Sequence, residues 1–137
     1  MLKGIAPCIG PELLKTLCEM GHGDEIVLAD AYFPAHSVNA HVIRMDGVLI
    51  RDLLAGIAPL WSFDRYATPV AMMAPVAGDV LDPAVETAFR EALGWLGAID
   101  RLPREDFYVR AGKAFAVVQT SDTAQYGNIL LKKGNFT

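Results

Sequence analysis

The sequence has few cysteines, no excess of positive charge and no long apolar run. Cys8 and Cys18 are its only cysteines, too few for a disulfide framework, so we expect two buried or half-buried thiols in a reducing cytoplasm. The net charge of −4 provides no attractive field for phosphate backbones, which argues against nucleic acid as a partner. No apolar run approaches the ~20 residues that span a bilayer, and the N-terminus lacks a signal-peptide pattern, so no membrane partner is expected.

Apolar residues, by contrast, are abundant. They make up 53% of the 137 residues, while charged residues make up 20%, which is more apolar than an average soluble chain. This length favours one domain over residues 1–137 with a single core. Because so small a domain cannot easily cover that much apolar surface by itself, we expect a homo-oligomer.

Short apolar runs alternate with helical patterns along the chain. The predicted strands cover residues 26–29, 41–44, 70–74, 114–118 and 128–131. Predicted helices begin at Gly10-Pro11, near Leu49, at Asp82-Pro83 and near Pro103, and Gly21 is the expected left-handed stop of the first. Residues 32–40 have no periodicity and are expected to form a loop. This order predicts a single-domain layered α/β/α fold with a largely parallel sheet.

Two polar side chains flank the first predicted strand. His22 lies between two glycines, where the backbone can turn and nothing bulky shields an imidazole that titrates near neutrality. Asp30 follows a run of four apolar residues, and ligands of open α/β sheets collect at the carboxyl ends of strands. Each residue also has an ordinary structural explanation: a hydrogen-bonded loop histidine, and a carboxylate that caps the next turn.

The other polar clusters of the sequence match no known site motif. His36 and His41, together with His22 and Asp30, fit no short metal-ligand motif, and no cysteine lies nearby, so no metal is expected. The Gly-His-Gly segment precedes a strand and therefore does not resemble a phosphate loop, which needs a helix N-terminus after it. Lys132-Lys133 is interpreted as a solvated charge pair.

The segment Tyr126-Gly127-Asn128 combines a phenol donor with an amide that can donate and accept, separated by a glycine that lets a ligand approach the backbone. A turn that enters a final strand would explain the same residues. Spacing alone favours the turn.

Together, three segments resemble the fucose mutarotase and ribose pyranase family (RbsD/FucU). They are residues 17–25, which contain Gly21-His22-Gly23; residues 30–35, which contain Phe33-Pro34-Ala35; and residues 126–134, which begin with Tyr126-Gly127-Asn128. The likeness covers nearly the whole chain, is weakest over residues 94–102, and favours the L-fucose branch.

The resemblance implies a cytoplasmic isomerase that interconverts the α and β anomers of a free monosaccharide without metal or cofactor. Relatives form rings of five subunits, usually stacked as decamers, with sugar sites between neighbouring subunits. By motif, His22 matches the family's proton donor. The matching sugar-binding residues are Asp30, Arg104, Tyr126, Gly127 and Asn128.

The chemistry needs an acid for the ring oxygen and a base for the anomeric hydroxyl, each contributing about 10²–10⁴-fold. His22 suits the acid role, while the base is either Tyr126 or a water held by Asp30. A straight strand at about 3.3 Å per residue would place His22 and Asp30 up to ~26 Å apart. Hence the loop folds back, the strand is shorter, or the two groups come from different subunits. The alternatives to a fucose mutarotase are a D-ribose pyranase and a non-catalytic sugar-binding module.

Overall fold

The secondary structure consists of six strands and five α-helices over residues 1–135, the part of the chain that this computed structural model describes. The strands are β1 (Glu25–Ala29), β2 (Val42–Met45), β3 (Val70–Met73), β4 (Asp100–Leu102), β5 (Ala116–Thr120) and β6 (Ile129–Lys132). The helices are α1 (Pro11–Glu19), α2 (Ala35–Val38), α3 (Ile50–Ile57), α4 (Pro83–Leu93) and α5 (Arg104–Lys113). A 3₁₀ turn over Ala58–Leu60 extends α3.

All six strands join one sheet in the order β2-β5-β1-β6-β3-β4. The β1–β5, β2–β5 and β3–β4 pairs are parallel, whereas β6 runs antiparallel to both of its neighbours, β1 and β3. The largely parallel sheet expected from the sequence is therefore confirmed, with one reversed strand near its middle. Five strands thus end at the same edge, which we call the carboxyl edge, and β6 begins there.

Both faces of the sheet are covered. Ile26 and Leu28 of β1 point into a cluster with residues of α1, α3 and α4, while Val27 and Ala29 point into a second cluster with residues of α2 and α5. These four β1 residues are fully buried, as expected for a strand between two helical layers. The layered α/β/α expectation is confirmed.

Helix ends depart from the sequence expectations in one place. Asp82 caps α4 as predicted, since its carboxylate accepts a hydrogen bond from Ala84 N at 3.0 Å. The predicted left-handed stop at Gly21 is wrong, because α1 ends at the extended Met20 and the positive φ of 87° belongs to Gly23. The free carbonyls at this end of α1 are bound by Lys133.

Lys133 closes the C-terminal end of α1. Its ammonium group donates to Leu17 O at 2.7 Å and to Met20 O at 2.6 Å. A cation at this end of a helix satisfies the orphan carbonyls and complements the helix dipole. The interpretation of Lys133 as part of a solvated pair is therefore wrong. Cys18 also departs from expectation, because it is exposed, whereas Cys8 is half-buried as predicted.

Two short elements were not predicted. The helix α2 lies inside the segment expected to be a loop, and β4 lies in the stretch where the family likeness is weakest. β4 has three residues, none fully buried, and so lacks the apolar run by which the other strands were recognised.

Candidate active site

A pocket of about 310 Å³ opens at the carboxyl edge of the sheet. Its walls come from the ends of β1 and β3, from the start of α5 after β4, and from the turn that enters β6. Four of the six residues that the sequence predicts as site residues line it: Asp30, Arg104, Tyr126 and Asn128. Residues almost 100 positions apart in sequence therefore share one small cavity, at the edge where α/β sheets usually bind ligands.

Asp30 is held in the pocket by its own backbone and by its neighbours. Its carboxylate accepts a hydrogen bond from Tyr32 N at 3.0 Å, and its backbone N–H donates to Asn128 Oδ1 at 2.7 Å. Its carbonyl oxygen accepts from Gln119 Nε2. Burial raises the pKa of Asp30 above its ordinary value, and the hydrogen bonds from Tyr32 and Phe33 only partly oppose this. Asp30 thus caps a turn and also lines the pocket, so the two sequence interpretations hold together.

Asn128 lies opposite Asp30 at the entrance to β6 and is 5% exposed. Because its side-chain oxygen accepts from Asp30 N, the orientation of the amide is fixed, and the amide nitrogen remains able to donate to a ligand.

The residues before Asn128 form a tight turn. Tyr126 has a φ of 57°, an uncommon value for a residue with a side chain, and Gly127 N donates to Ala124 O at 3.1 Å. A Cβ atom on Gly127 would lie 2.8 Å from Ala124 O, which is too close. Gly127 does not line the pocket. It is needed for the turn that brings Tyr126 and Asn128 to the cavity.

The phenol of Tyr126 is hydrogen-bonded to residues 76–79, which follow β3. It donates to a carboxylate oxygen of Asp79 and accepts from Val76 N at 3.0 Å. The hydrogen bond to Asp79 raises the pKa of Tyr126 above its ordinary value. A phenol with a raised pKa stays protonated at neutral pH, so Tyr126 is poorly suited to acting as the base.

Arg104, the first residue of α5, places its guanidinium carbon 5.5 Å from the ring centroid of Tyr108. This stacking orients the cation at the pocket wall. Phe33, Met73 and Val76 form an apolar side of the same cavity. The pocket therefore combines hydrogen-bonding groups of both kinds with an apolar wall, which suits a small polyhydroxylated ligand.

His22 lies elsewhere. It precedes β1 and lines a different cavity of about 440 Å³, which shares no lining residue with the first. Its Nε2 atom lies 3.0 Å from Asp64 Oδ1, and 44% of its side chain is exposed. The five residues of β1, at about 3.3 Å each, separate the two ends by about 16 Å. Within one chain, the Gly-His-Gly loop does not bring His22 to the pocket of Asp30, and β1 has the length expected from the sequence. Of the three alternatives, the one that remains is a site shared between subunits.

The remaining histidines have structural partners. His41 Nδ1 lies 3.0 Å from Phe115 O, and the exposed His36 lies 3.4 Å from a guanidinium nitrogen of Arg44. Across residues 1–135, no group of three or more His, Cys, Asp or Glu side chains is placed to hold a metal ion. None of the helices described in that range has the length and apolar character to cross a membrane.

Sequence reasoning missed two acidic residues next to the predicted ones. Asp79 binds the phenol of Tyr126, and Asp64 binds the imidazole of His22. Both lie far along the chain from their partners, and neither belongs to a segment that carried the family likeness. The Gly78-Asp79 pair is typical of a turn, but nothing in the sequence indicates which side chain Asp79 contacts.

Comparison with known proteins gives one family. The RbsD / FucU transport protein family matches residues 3–136. A crystal structure of the fucose mutarotase from Streptococcus pneumoniae in complex with L-fucose is 46% identical, with a TM-score of 0.93, over 99% of this chain and 100% of that one. FucU from Bifidobacterium longum is 38% identical, with a TM-score of 0.90, over 97% and 100% of the two chains. Bacillus subtilis RbsD, complexed with D-ribose, is 24% identical over the full length of both chains, with a TM-score of 0.76, and shares the fold.

Proposed function

Because this chain belongs to the RbsD / FucU family, we propose that it is an L-fucose mutarotase, an isomerase that interconverts the α and β anomers of the free sugar. The observation that carries the proposal is the pocket at the carboxyl edge. It gathers a carboxylate, an amide, a phenol and a guanidinium around a cavity of about 310 Å³. The 46% identity to a fucose mutarotase crystallised with L-fucose supports the same sugar.

The pocket residues divide the work of holding the sugar. Asp30 accepts hydrogen bonds from sugar hydroxyls, whereas Arg104 and the amide nitrogen of Asn128 donate to sugar oxygens. Tyr126, whose only hydroxyl proton is donated to Asp79, contributes its ring to the wall against which the sugar packs. Gly127 acts through the turn geometry. The apolar wall of Phe33, Met73 and Val76 suits the methyl group that a 6-deoxy sugar carries in place of a hydroxymethyl group.

The proton transfers of the reaction are assigned to His22 and Asp30. His22 donates a proton to the ring oxygen, while Asp30, directly or through a water, takes the proton of the anomeric hydroxyl. The bond between C1 and the ring oxygen breaks, and an open aldehyde forms. After rotation about C1–C2, the aldehyde closes on its other face and both protons return. Burial raises the pKa of the Asp30 carboxylate toward neutral pH, which makes it a stronger base. The Tyr126 phenol has a raised pKa and stays protonated, so it is the poorer base. No cofactor takes part in this mechanism.

A catalytic site with both groups requires a second subunit. His22 lies beyond the opposite end of β1 from Asp30, so the imidazole that serves one pocket comes from a neighbouring chain. The cavity beside His22 is lined mainly by apolar residues, including Leu14, Leu17 and Leu60, as expected of a surface that another subunit covers. The need for a neighbouring chain supports a homo-oligomer, and the family resemblance leads us to propose five-membered rings stacked as a decamer, with one sugar site per interface.

We also propose that the enzyme acts in the cytoplasm. Both of its cysteines are free, and one of them is exposed, which fits a reducing compartment. The substrate is a free monosaccharide, with no lipid or polymer attached.

The test is anomer exchange measured by saturation-transfer NMR on L-fucose and D-ribose in one sample. The proposal predicts that the wild-type protein raises the rate of exchange between the L-fucose anomers well above the rate in buffer alone. Faster interconversion of ribopyranose and ribofuranose than of the fucose anomers would favour a ribose pyranase. Sugar binding with exchange at the buffer rate would favour a non-catalytic sugar-binding module.

A further inference from the structure

One side of the sugar pocket is built by a segment with few contacts of its own. Residues 75–81 lead from β3 towards α4, and residues 76–80 are all exposed. None of the side chains in this segment belongs to either core cluster. Val76 and Asp79 nevertheless line the pocket. Because an exposed segment without buried apolar contacts opens easily, a pocket wall made from it needs another attachment to the fold.

The segment contains one tight turn. Asp79 N donates to Val76 O at 3.0 Å, and Gly78, the third residue of the turn, has a φ of 93°. A positive φ at the third position is typical of a type II turn, where glycine is preferred. Both ends of the turn then meet the same atom, since Val76 N and the carboxylate of Asp79 are hydrogen-bonded to the phenol oxygen of Tyr126.

Tyr126 attaches this turn to the rest of the fold. Among residues 1–135, it is the one residue outside the segment 75–81 that hydrogen-bonds to it. The position of Tyr126 is itself fixed, because Gly127 N donates to Ala124 O and the next residue, Asn128, is bound to Asp30. The phenol therefore joins an exposed segment to the entrance of β6.

Asp79 orients the phenol for both contacts. A phenol has one proton, and a carboxylate can only accept, so Asp79 fixes that proton on its own side. A lone pair of the same oxygen is then available to Val76 N, which donates to it at 3.0 Å. Without the carboxylate, the hydroxyl could rotate and donate to water, and the contact with Val76 would lose its orientation. We call the two hydrogen bonds of the phenol the Tyr126 latch.

We propose that Asp79 is a positioning residue for sugar specificity: through the Tyr126 latch it holds residues 76–79 against the pocket, and so keeps Val76 where the methyl group of a 6-deoxy sugar packs. This inference rests on the proposed function. The Val76 side chain is 46% exposed, so the latch, and not burial in the core, keeps it at the pocket. Loss of the latch would remove part of the apolar wall and leave the polar groups at Asp30 and Asn128 in place.

The test compares L-fucose with D-arabinose, a pentose of the same ring configuration that lacks the methyl group. In the wild-type oligomer, KM should be lower for L-fucose, because one methyl group in an apolar site is worth about tenfold or more. In Asp79→Ala, KM for L-fucose should rise about 3–10-fold, while KM for D-arabinose and both kcat values should stay within about twofold. A general loss of structure would weaken both sugars alike.

A double-mutant cycle tests whether Asp79 acts through the phenol. Tyr126→Phe keeps the ring in the wall but removes both hydrogen bonds, so it should raise KM for L-fucose by about the same factor as Asp79→Ala. The double variant should be no worse than either single variant, since the latch can be lost only once. Asp82→Asn is the matched control, because it removes a nearby charge while asparagine still caps α4. It should match the wild type for both sugars.

Backbone hydrogen exchange, followed by mass spectrometry, measures the latch without sugar or activity. In the wild type and in Asp82→Asn, peptides that cover residues 74–79 should show a protected amide at Val76. In Asp79→Ala and in Tyr126→Phe, this amide should exchange at least about tenfold faster, because its acceptor is displaced or absent.

The outcomes separate the two proposals. A wild-type protein that does not accelerate fucose exchange contradicts the proposed function, even if Val76 is protected. In an active enzyme, equal increases in KM for L-fucose and D-arabinose in Asp79→Ala would overturn the role of Asp79. Additive effects of the two substitutions, or unchanged exchange at Val76, would do the same. If Asp79→Ala does not assemble, Tyr126→Phe decides the question by the same comparison of sugars and of amide exchange.

Discussion

The two ends of β1 differ in how their polar groups are held. At the carboxyl edge, Asp30, Tyr126 and Asn128 have hydrogen-bond partners within their own chain and line a common cavity. At the other end, His22 is half-exposed beside an apolar cavity, with Asp64 as its hydrogen-bond partner among the described residues. Under the proposed function, one chain can bind the sugar but cannot bring the acid to it. Assembly would then be a requirement for chemistry as well as for stability.

The largest effect on L-fucose exchange should come from variants that disable His22 in one chain and Asp30 in another. We expect His22→Ala and Asp30→Asn each to reduce L-fucose exchange by at least about 10²-fold, because each removes one acid–base group. If the two variants are dissociated, mixed in equal amounts and reassembled, roughly a quarter of interfaces should pair an intact His22 with an intact Asp30. Exchange should recover to about that fraction of the wild-type rate.

The control is each variant dissociated and reassembled alone, which should stay inactive. A mixture that remains inactive although mass spectrometry shows mixed oligomers would contradict the intersubunit site. It would mean that both groups of a working site come from one chain.

A smaller effect is expected at Lys133, which joins α1 to the end of β6 beside His22. Lys133→Met removes two charge-assisted hydrogen bonds to otherwise free carbonyls, so the free energy of unfolding should fall by about 1–2 kcal/mol. Lys132→Met is the matched control. Lys132 Nζ lies 3.9 Å from a carboxylate oxygen of Glu25, a distance at which a partly exposed pair contributes little, about 0–1 kcal/mol.

Denaturant unfolding of both variants checks this prediction. Equal losses in the two would indicate that the contacts of Lys133 with α1 do not stabilise the fold. Lys132 lines neither cavity, so L-fucose exchange per assembled oligomer should change little in Lys132→Met.

The smallest effect is expected on the pH dependence of the free energy of unfolding. It concerns Asp30 and Asp64, two buried aspartates near opposite ends of β1. The folded-state pKa of Asp30 is raised, so stability falls as pH rises from 3.8 through that raised pKa, and the cost persists at neutral pH. Asp30→Asn removes the cost and should raise the free energy of unfolding at pH 7, even though it abolishes activity. The pKa of Asp64 is lowered, so its contribution is present above 3.8 and is lost as pH falls through the lower folded value.

Asp64→Asn should therefore destabilise the protein at pH 7, the opposite sign to Asp30→Asn. Thermal unfolding at pH 7 and at pH 3 measures both differences, and each should shrink at the lower pH. A Tm for Asp30→Asn below that of the wild type at pH 7 would contradict the view that burial of the charge dominates at this residue.

The sequence was informative where a local rule determined the structure. The apolar run of β1 predicted its burial on both faces, and Asp82-Pro83 predicted the start of α4, because strand burial and helix capping depend on neighbouring residues. The family likeness singled out Asp30, Arg104, Tyr126 and Asn128, which line the pocket at the carboxyl edge, but gave no sign of Met73, Val76 and Asp79 in its wall. That they surround one cavity follows from the sheet order, which no local pattern contains.

What sequence reasoning missed depends on contacts between distant residues. Lys133 reaches α1 across more than 110 positions, and Asp64 meets His22 across 42. A lysine near the C-terminus has no feature that distinguishes a solvated side chain from one that caps a helix. β4 was missed for a different reason, since three polar or half-buried residues at a sheet edge carry no periodicity.

The position of β6 has a consequence for synthesis on the ribosome. β6 is the strand that joins the β2-β5-β1 part of the sheet to the β3-β4 part, because it pairs with both β1 and β3. Until residues 129–132 have left the exit tunnel, no strand pairing connects these two parts, whatever local helices the nascent chain has formed. Release of this segment completes the sheet and brings Tyr126 and Asn128 to the cavity in the same event, so no shorter nascent chain can bind sugar in the way proposed here.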